Sequence, residues 1–215
     1  DIVRKDAMEQ VRAGADVLDV NVGAPGVNEI LILPSAVQAV MDVADVPLSL
    51  DSKNPKAIEA ALKVYKGKPI INSVSGEEKS LAEVLPLVKQ YGTAVIALTI
   101  DDQGIPDEAY KRLAVADKII SKAVALGIPL EDIIIDCLAL SLATDSQATY
   151  LTLETIRMVK EKFRVNQTLG ASNISHGLPD KDILNNAFLT LAIQAGVSCP
   201  YVHVDLVRPT VLATD

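Results

Sequence analysis

Short apolar runs recur along the 215-residue chain, separated by stretches in which apolar residues return every three or four positions. The runs read as buried strands: ADVLDVNV (15–22), VPLSLDS (46–52), KPIINSVS (68–75), AVIALTI (94–100), DIIIDCLAL (132–140), QTLGASNIS (167–175) and YVHVDLV (201–207). The stretches between them have the period of helices that bury one side. Their boundaries carry matching chemistry. Asn54 can cap the helix that Pro55 opens, and Gly67 suits its left-handed stop. Ser75 and Glu78 have capping-box spacing ahead of a helix closed by Gly92, while Pro86 inside it predicts a kink or a displaced start. Gly127 and Gly196 close two later helices.

Seven strands alternating with helices, with no composition break to mark a linker, point to α/β architecture, and eight such units make a (β/α)8 TIM barrel. The chain opens on a helical stretch, RKDAMEQVRAGA. The expectation is therefore a single barrel domain over residues 1–215 that lacks its first strand, and its last helix, in the sequence shown. A doubly wound sheet of seven or eight strands is the structural alternative. Tryptophan is absent and aromatic residues make up 3%, so the core is built from Ala, Val, Ile and Leu. Such a core favours parallel strands covered by helices on both faces.

The net charge of −8 disfavours nucleic acid as a partner, because phosphate binding needs a basic surface. Only Cys137 and Cys199 are present, without CxxC spacing. A disulfide framework and a structural zinc site are both disfavoured, and a reducing cytoplasmic location fits. The longest apolar region, IIIDCLALSLA, carries Asp136 and is too short to span a bilayer, so no membrane association is expected.

The strand ends hold the candidate chemistry, since the C-terminal ends of barrel strands form the active-site face. Asp19 and Asn21, Asp51 and Ser52, Asn72 and Ser73, Asp101 and Asp102, Asp136, Ser172 and Asn173, and Asp205 all sit where an apolar run stops. Any one of them could merely start a turn, and Asn54 and Ser75 are read as helix caps. A ring of such residues around one mouth suggests a ligand. Arginine and lysine are missing from it, which disfavours a phosphate. Histidine is too scarce for a His-based metal site, although Mg2+ or Ca2+ could use the carboxylates. An ionised Asp only accepts hydrogen bonds, whereas Asn both donates and accepts. Together they suit a planar heterocycle with an NH/NH2 edge, such as a pterin.

LDSKNPKAIEAALK, INSVSGE, IIIDCLAL and LGASNISHGLPDKDILN, taken in order, resemble the pterin-binding methyltransferases. The nearest resemblance is to methyltetrahydrofolate:corrinoid-protein methyltransferases and, beyond them, to the folate module of cobalamin-dependent methionine synthase. It runs through essentially the whole chain. It implies a (β/α)8 barrel, a homodimer, and methyltetrahydrofolate or tetrahydrofolate as substrate. By motif, Asp51, Asn72 and Asp136 hold the pterin ring, Asn173 lies beside N5, and Gly170 and Ser172 form the close wall. Asp19 and Asn21 belong to the same mouth. The family's opening strand, usually reading like GERIN, is not in this sequence. Lys181 stands where relatives often carry arginine, and His176 where some have glutamine; the histidine is read as a solvent-facing loop residue.

The resemblance further implies that the methyl acceptor is the cobalt of a corrinoid (cobalamin) carried by a partner protein. No side-chain nucleophile and no metal ligand are then needed. The chain has no Asp-x-His-x-x-Gly cobalamin-ligating motif. Asn173, with Asp136 and ordered water, is expected to relieve charge at N5 by hydrogen bonding. Dihydropteroate synthase shares the barrel and pocket but carries a Ser-Arg-Lys motif on a late strand, where this chain reads Ser172-Asn173. A non-catalytic folate-binding module is the other alternative.

Overall fold

The computed structural model describes residues 2–214. Helices and strands alternate: α1 (Ile2–Ala13), β1 (Leu18–Asn21), α2 (Glu29–Met41), β2 (Leu48–Asp51), α3 (Pro55–Val64), β3 (Ile70–Ser75), α4 (Glu78–Tyr91), β4 (Ala94–Leu98), α5 (Ala109–Ala125), β5 (Ile133–Asp136), α6 (Ala148–Phe163), β6 (Asn166–Thr168), α7 (Lys181–Ala195) and α8 (Val204–Thr214). The six strands lie side by side in chain order, every neighbouring pair parallel. Each crossover carries a helix. This is the wall of a TIM barrel, as the alternation predicts.

Strand register decides which residues reach the site. Asn21, Asp51 and Asn72 stand abreast on β1, β2 and β3, as do Leu98, Asp136 and Thr168 on β4, β5 and β6. Side chains abreast share a face, and successive residues alternate between faces. The outward set, including Leu50, Ile71, Val95, Ile133 and Ile135, has no exposed surface. It packs under the helices against Leu33, Ile58, Leu85, Ile119 and Ile156. Burying each such side chain contributes about 1.5–3 kcal/mol. The inward Ile96 and Ile134 are buried apart from that cluster and floor the barrel's interior.

Two expected strands change character. In 167–175 only β6 is extended, and Ala171–Ser175 forms a 3-10 turn. Ser172, Asn173 and Ser175 are short polar residues whose groups bond locally: Ser175 Oγ donates to the Ser172 carbonyl and Asn173 N to that of Gly170. In 201–207 a single bridge pairs Tyr201 with Gly170, after which the chain enters α8. Val207 and Val211, four residues apart, join the core from a helix that packs on α1 and α7. A short apolar run carries too little periodicity to separate strand from helix.

The helix ends follow their signals with three exceptions, the first being that α3 stops at Val64 with extended Tyr65 as its cap, so Gly67 is not its left-handed stop. Asn54 Oδ1 accepts from Lys56 N at 3.1 Å, and Gly92 and Gly127 adopt φ of +63° and +76° beyond α4 and α5. The Ser75–Glu78 capping box does not form. Ser75 Oγ donates instead to the Glu77 carboxylate at 2.7 Å, and Glu78 pairs with Lys118 and Lys122 on α5. Pro86 lies within an uninterrupted α4 whose start is not displaced. Among the described residues no helix is long and apolar enough to cross a membrane.

The outward layer carries the stability, so Ile135→Ala should cost about 2–5 kcal/mol and Asn54→Ala about 1 kcal/mol in urea denaturation. Equal costs would show that the packing under the helices is not the main core.

Candidate active site

Three adjacent strand ends make one side of the mouth. Asn21 Nδ2 donates to Asp51 Oδ2 at 2.6 Å, and Asn72 Nδ2 donates to Asp19 Oδ1 at 3.2 Å. The second oxygen of Asp19 accepts from Tyr201 Oη at 2.9 Å, which ties the segment after α7 back to β1. Gly23 N donates to Asn21 Oδ1 at 2.7 Å and fixes the sense of that carboxamide. Carboxamides thus alternate with carboxylates, the arrangement that keeps like charges from facing each other unscreened. Burial first, then the charges of Asp19 and Glu29, push the Asp51 carboxyl above its ordinary range; the Asn21 hydrogen bond and Lys53 oppose this. Burial and the Asp19 carboxylate likewise raise the Tyr201 phenol.

Asp136, at the end of β5, faces this group across the barrel floor. The walls desolvate its carboxyl and push it up to about 6, although part of its surface stays open; the Leu138 N–H and Arg112 pull the other way. Leu138 N donates to Asp136 Oδ1 at 2.8 Å. Leu138 sits at φ +60°, left-handed for a branched residue, at a cost of roughly 1–2 kcal/mol. Arg112, wholly buried on α5, donates from Nη1 to the Cys137 and Leu138 carbonyls and from Nε to the Pro106 carbonyl, each at 2.9 Å. Cys137 points outward, its thiol bonding Gln167 Oε1 at 3.2 Å and its ionisation suppressed by burial. It offers no nucleophile to the mouth.

Asn173 is exposed on the 3-10 turn after β6, beside exposed Ser172 and half-buried Gly170. A methyl group on Gly170 would come within 3.0 Å of Asn173 Nδ2, so the glycine makes room for that carboxamide. The turn is pinned to the loop that follows Asp136. Leu142 N donates to the Ile174 carbonyl at 3.1 Å, and Ser141 Oγ to the His176 carbonyl at 2.5 Å. The loops bearing Asp136 and Asn173 are therefore positioned together.

Other expected residues are engaged elsewhere. Asp101 closes a tight turn with Gly104 and holds Gln103 N, and Asp102 accepts from Glu78 N at the start of α4. Asp205 is in the first turn of α8 and not at a strand end. Ser52 bonds the Glu29 carboxylate and the Asn54 backbone. Lys181 begins α7 exposed, and no hydrogen bond or ion pair among the described residues ties it to the mouth. His176 is a solvent-exposed loop residue, as expected. Glu29, Tyr201 and Arg112 were not legible as site neighbours. Arg112 had one signal: it falls on the apolar stripe of α5 with Ala109, Ala116, Ile119 and Ala123, where a charge needs a partner. Among the described residues no cluster of three or more His, Cys, Asp or Glu could hold a metal ion.

The sequence pattern of the pterin binding enzymes matches residues 1–203. The chain belongs to that family. As a pterin-binding enzyme it is 33% identical to methionine synthase of Mycobacterium leprae over 94% of its own length, but spans only 18% of that protein. It is 29% identical to methylcorrinoid:tetrahydrofolate methyltransferase of Eubacterium limosum over 91% of its length and 73% of that protein. Among solved structures, a Yersinia pestis dihydropteroate synthase with a pterine–sulfa conjugate superposes with a TM-score of 0.79 at 20% identity, over 98% of this chain and 85% of that one. The Thermus thermophilus synthase in complex with 4-aminobenzoate gives 0.74 at 21% identity, over 98% and 87%. At these identities the structural likeness shows the pterin-binding barrel fold alone.

Asp136 titrates at about 6 in the folded protein, above its ordinary value of 3.8. A raised carboxyl destabilises the fold when ionised, so stability rises as pH falls from about 6 towards 4 and is lost as pH climbs back. Asp136→Asn should raise stability at pH 7.5 by on the order of 1–2 kcal/mol, discounted for its partly open surface. The gain should vanish near pH 4 in thermal melts; a gain independent of pH would contradict the assignment.

Proposed function

We propose that the chain is the folate-binding barrel of a methyltransferase. It would move a methyl group between N5 of methyltetrahydrofolate and the cobalt of a corrinoid held on a partner protein or module. One observation carries this reading: the mouth offers alternating acceptors and donors, with the Asn173 carboxamide on the turn beside it and, among the described residues, no Cys thiol turned toward it. Asp51, Asn72 and Asp136 match the NH/NH2 and acceptor edge of a pterin, and one of the relatives reported above is named methylcorrinoid:tetrahydrofolate methyltransferase. Asp19 and Asn21 hold Asn72 and Asp51 in place for that contact. Gly170 and Ser172 are assigned to the substrate wall and Lys181 to a polar network near it, and the enzyme is read as a cytoplasmic homodimer.

The methyl group leaves a tertiary amine without the bonding electron pair, which stays on N5. Charge relief there by a hydrogen bond or proton lowers the barrier. Asn173 is the residue for this, donating from its carboxamide to N5. Asp136 and ordered water complete the network, and solvent supplies the proton that N5 finally holds. The corrinoid lies outside these 215 residues and supplies the cobalt that accepts the methyl group. The protein's own part is to bind, orient and hydrogen-bond the folate.

Titration with methyltetrahydrofolate, followed by a transfer assay with a corrinoid protein, tests the reading. Binding with turnover supports it, and binding without turnover indicates a folate-binding module. Condensation of 4-aminobenzoate with a pterin pyrophosphate would establish a dihydropteroate synthase instead. In the transfer assay Asn173→Ala should lower kcat by roughly 10²–10⁴-fold while folate affinity falls only a few-fold; equal losses would count against N5 activation. Gly170→Ala should displace the same carboxamide and lower kcat about tenfold without moving the unfolding midpoint, since the residue it crowds is exposed.

A further inference from the structure

Arg112 is the largest wholly buried side chain among the described residues, and nothing about folding an amphipathic helix calls for it. Its stripe on α5 is otherwise Ala, Val and Ile. Among the described residues no carboxylate lies within ion-pair distance of it, and Nη2 has no hydrogen-bond partner at all. A buried guanidinium kept under those terms must be serving its three carbonyl contacts. Two of these, the Cys137 and Leu138 carbonyls, flank the left-handed turn that ends β5.

The geometry of one peptide plane makes the connection. The Cys137 carbonyl and the Leu138 N–H belong to the same peptide group, and in a trans peptide they point in opposite directions. Arg112 Nη1 holds the carbonyl at 2.9 Å from one side. On the other side the N–H meets Asp136 Oδ1 at 2.8 Å. The Leu138 carbonyl is held by the same Nη1 and by Thr152 Oγ1 at 3.0 Å, so both peptides around Leu138 are gripped from the helix side. A non-glycine residue keeps a positive φ only where its surroundings over-determine it.

We propose that Arg112 is a positioning residue: from inside α5 it locks the Leu138 turn, aims the Leu138 N–H at Asp136, and so fixes the carboxyl that faces the pterin. This rests on the proposed pterin contact of Asp136. The other groups around that carboxyl leave the role to Arg112. β4 presents Leu98, with Thr99 just beyond it, and β6 presents Thr168, none of them titratable. The neighbouring Cys137 thiol is neutral, and Asp145, ahead of α6, acts on the guanidinium. With the turn released, Asp136 would lose the hydrogen bond that opposes its desolvation.

The test separates positioning from charge. In the full-length protein without folate, the Asp136 midpoint is followed by NMR of labelled aspartate, starting from about 6. Arg112→Lys keeps a cation but loses the fork that spans three carbonyls. The midpoint should rise by about one unit, tenfold in proton affinity, which leaves about half of the carboxyl ionised at pH 7, so methyltetrahydrofolate should bind at least about twofold more weakly there. Adding Leu138→Gly should recover most of both, because glycine adopts the left-handed turn without a grip. A wild-type midpoint in Arg112→Lys, or no recovery from the glycine, would overturn the proposal. Should Arg112→Lys fail to fold, Arg112→Gln with and without Leu138→Gly is read by the same two outcomes. If the wild type binds no folate, the proposed function fails, whereas the aspartate titration still judges Arg112.

Discussion

The two-residue alternation along parallel, in-register strands is the constraint on which the rest of this molecule depends. It sends Leu50, Ile71, Ile133 and Ile135 outward to the helices and leaves Asp51, Asn72 and Asp136 facing inward. Cohesion and chemistry therefore occupy opposite faces of the same strands. A polar residue at a strand end removes nothing from the core, because the buried apolar area lies on the other side of the sheet. A one-residue slip in any strand would exchange the two sets, burying carboxylates under helices and opening isoleucines to the mouth. The site and the fold are thus specified by the same register.

Within the mouth the difficulty is electrostatic. Asp19, Asp51 and Glu29 crowd one side, and Asp136 lies across from them. An ionised carboxylate can only accept, so carboxylates cannot satisfy each other. Asn21 and Asn72 supply the missing donors and hold Asp51 and Asp19 in fixed orientations. Asp136 has no such neighbour and relies on backbone, the Leu138 N–H. Its carboxyl is accordingly the one lifted to about 6, the least comfortable when charged. Unfavourable solvation is what a ligand with N–H groups would relieve, and the proposed pterin contact of Asp136 and Asp51 draws on that.

The strands and their polar ends were legible because burial on both sides writes an uninterrupted apolar run with an abrupt polar stop. Asn54, Gly92 and Gly127 were legible because caps and left-handed stops are local chemistry. What was hidden depends on contacts between distant segments. Tyr201 reaches Asp19 across 182 residues, and the apolar run containing it gave no sign that all but its first residues would be loop and helix. Ser75 and Glu78 had capping-box spacing, yet Glu78 pairs with two lysines on α5 instead of a backbone N–H. Arg112 showed only as a charge on an apolar stripe; its partners are carbonyls of a loop 25 residues on, and carbonyls leave no mark in a sequence.

The likeness to dihydropteroate synthases bears on the barrel and not on the reaction, since the same wall of strands can carry different ends. What distinguishes the ends here is the exposed carboxamide of Asn173, set on a turn that Gly170 leaves uncrowded and that the Asp136 loop pins in place. Exposure would be a defect in a site that had to exclude water around its own nucleophile. In the proposed transfer the nucleophile is cobalt held elsewhere, and the methyl group must be presented outward for it. A hydrogen bond to N5 from the rim leaves the opposite side of that methyl group open. A general acid buried deeper in the barrel would have drawn N5 inward and hidden the group that has to leave. In that proposal an amide at the lip, fixed through its loop to the carboxyl at the end of β5, meets both needs: the ring is held by the strand ends while the methyl group stays within a partner's reach.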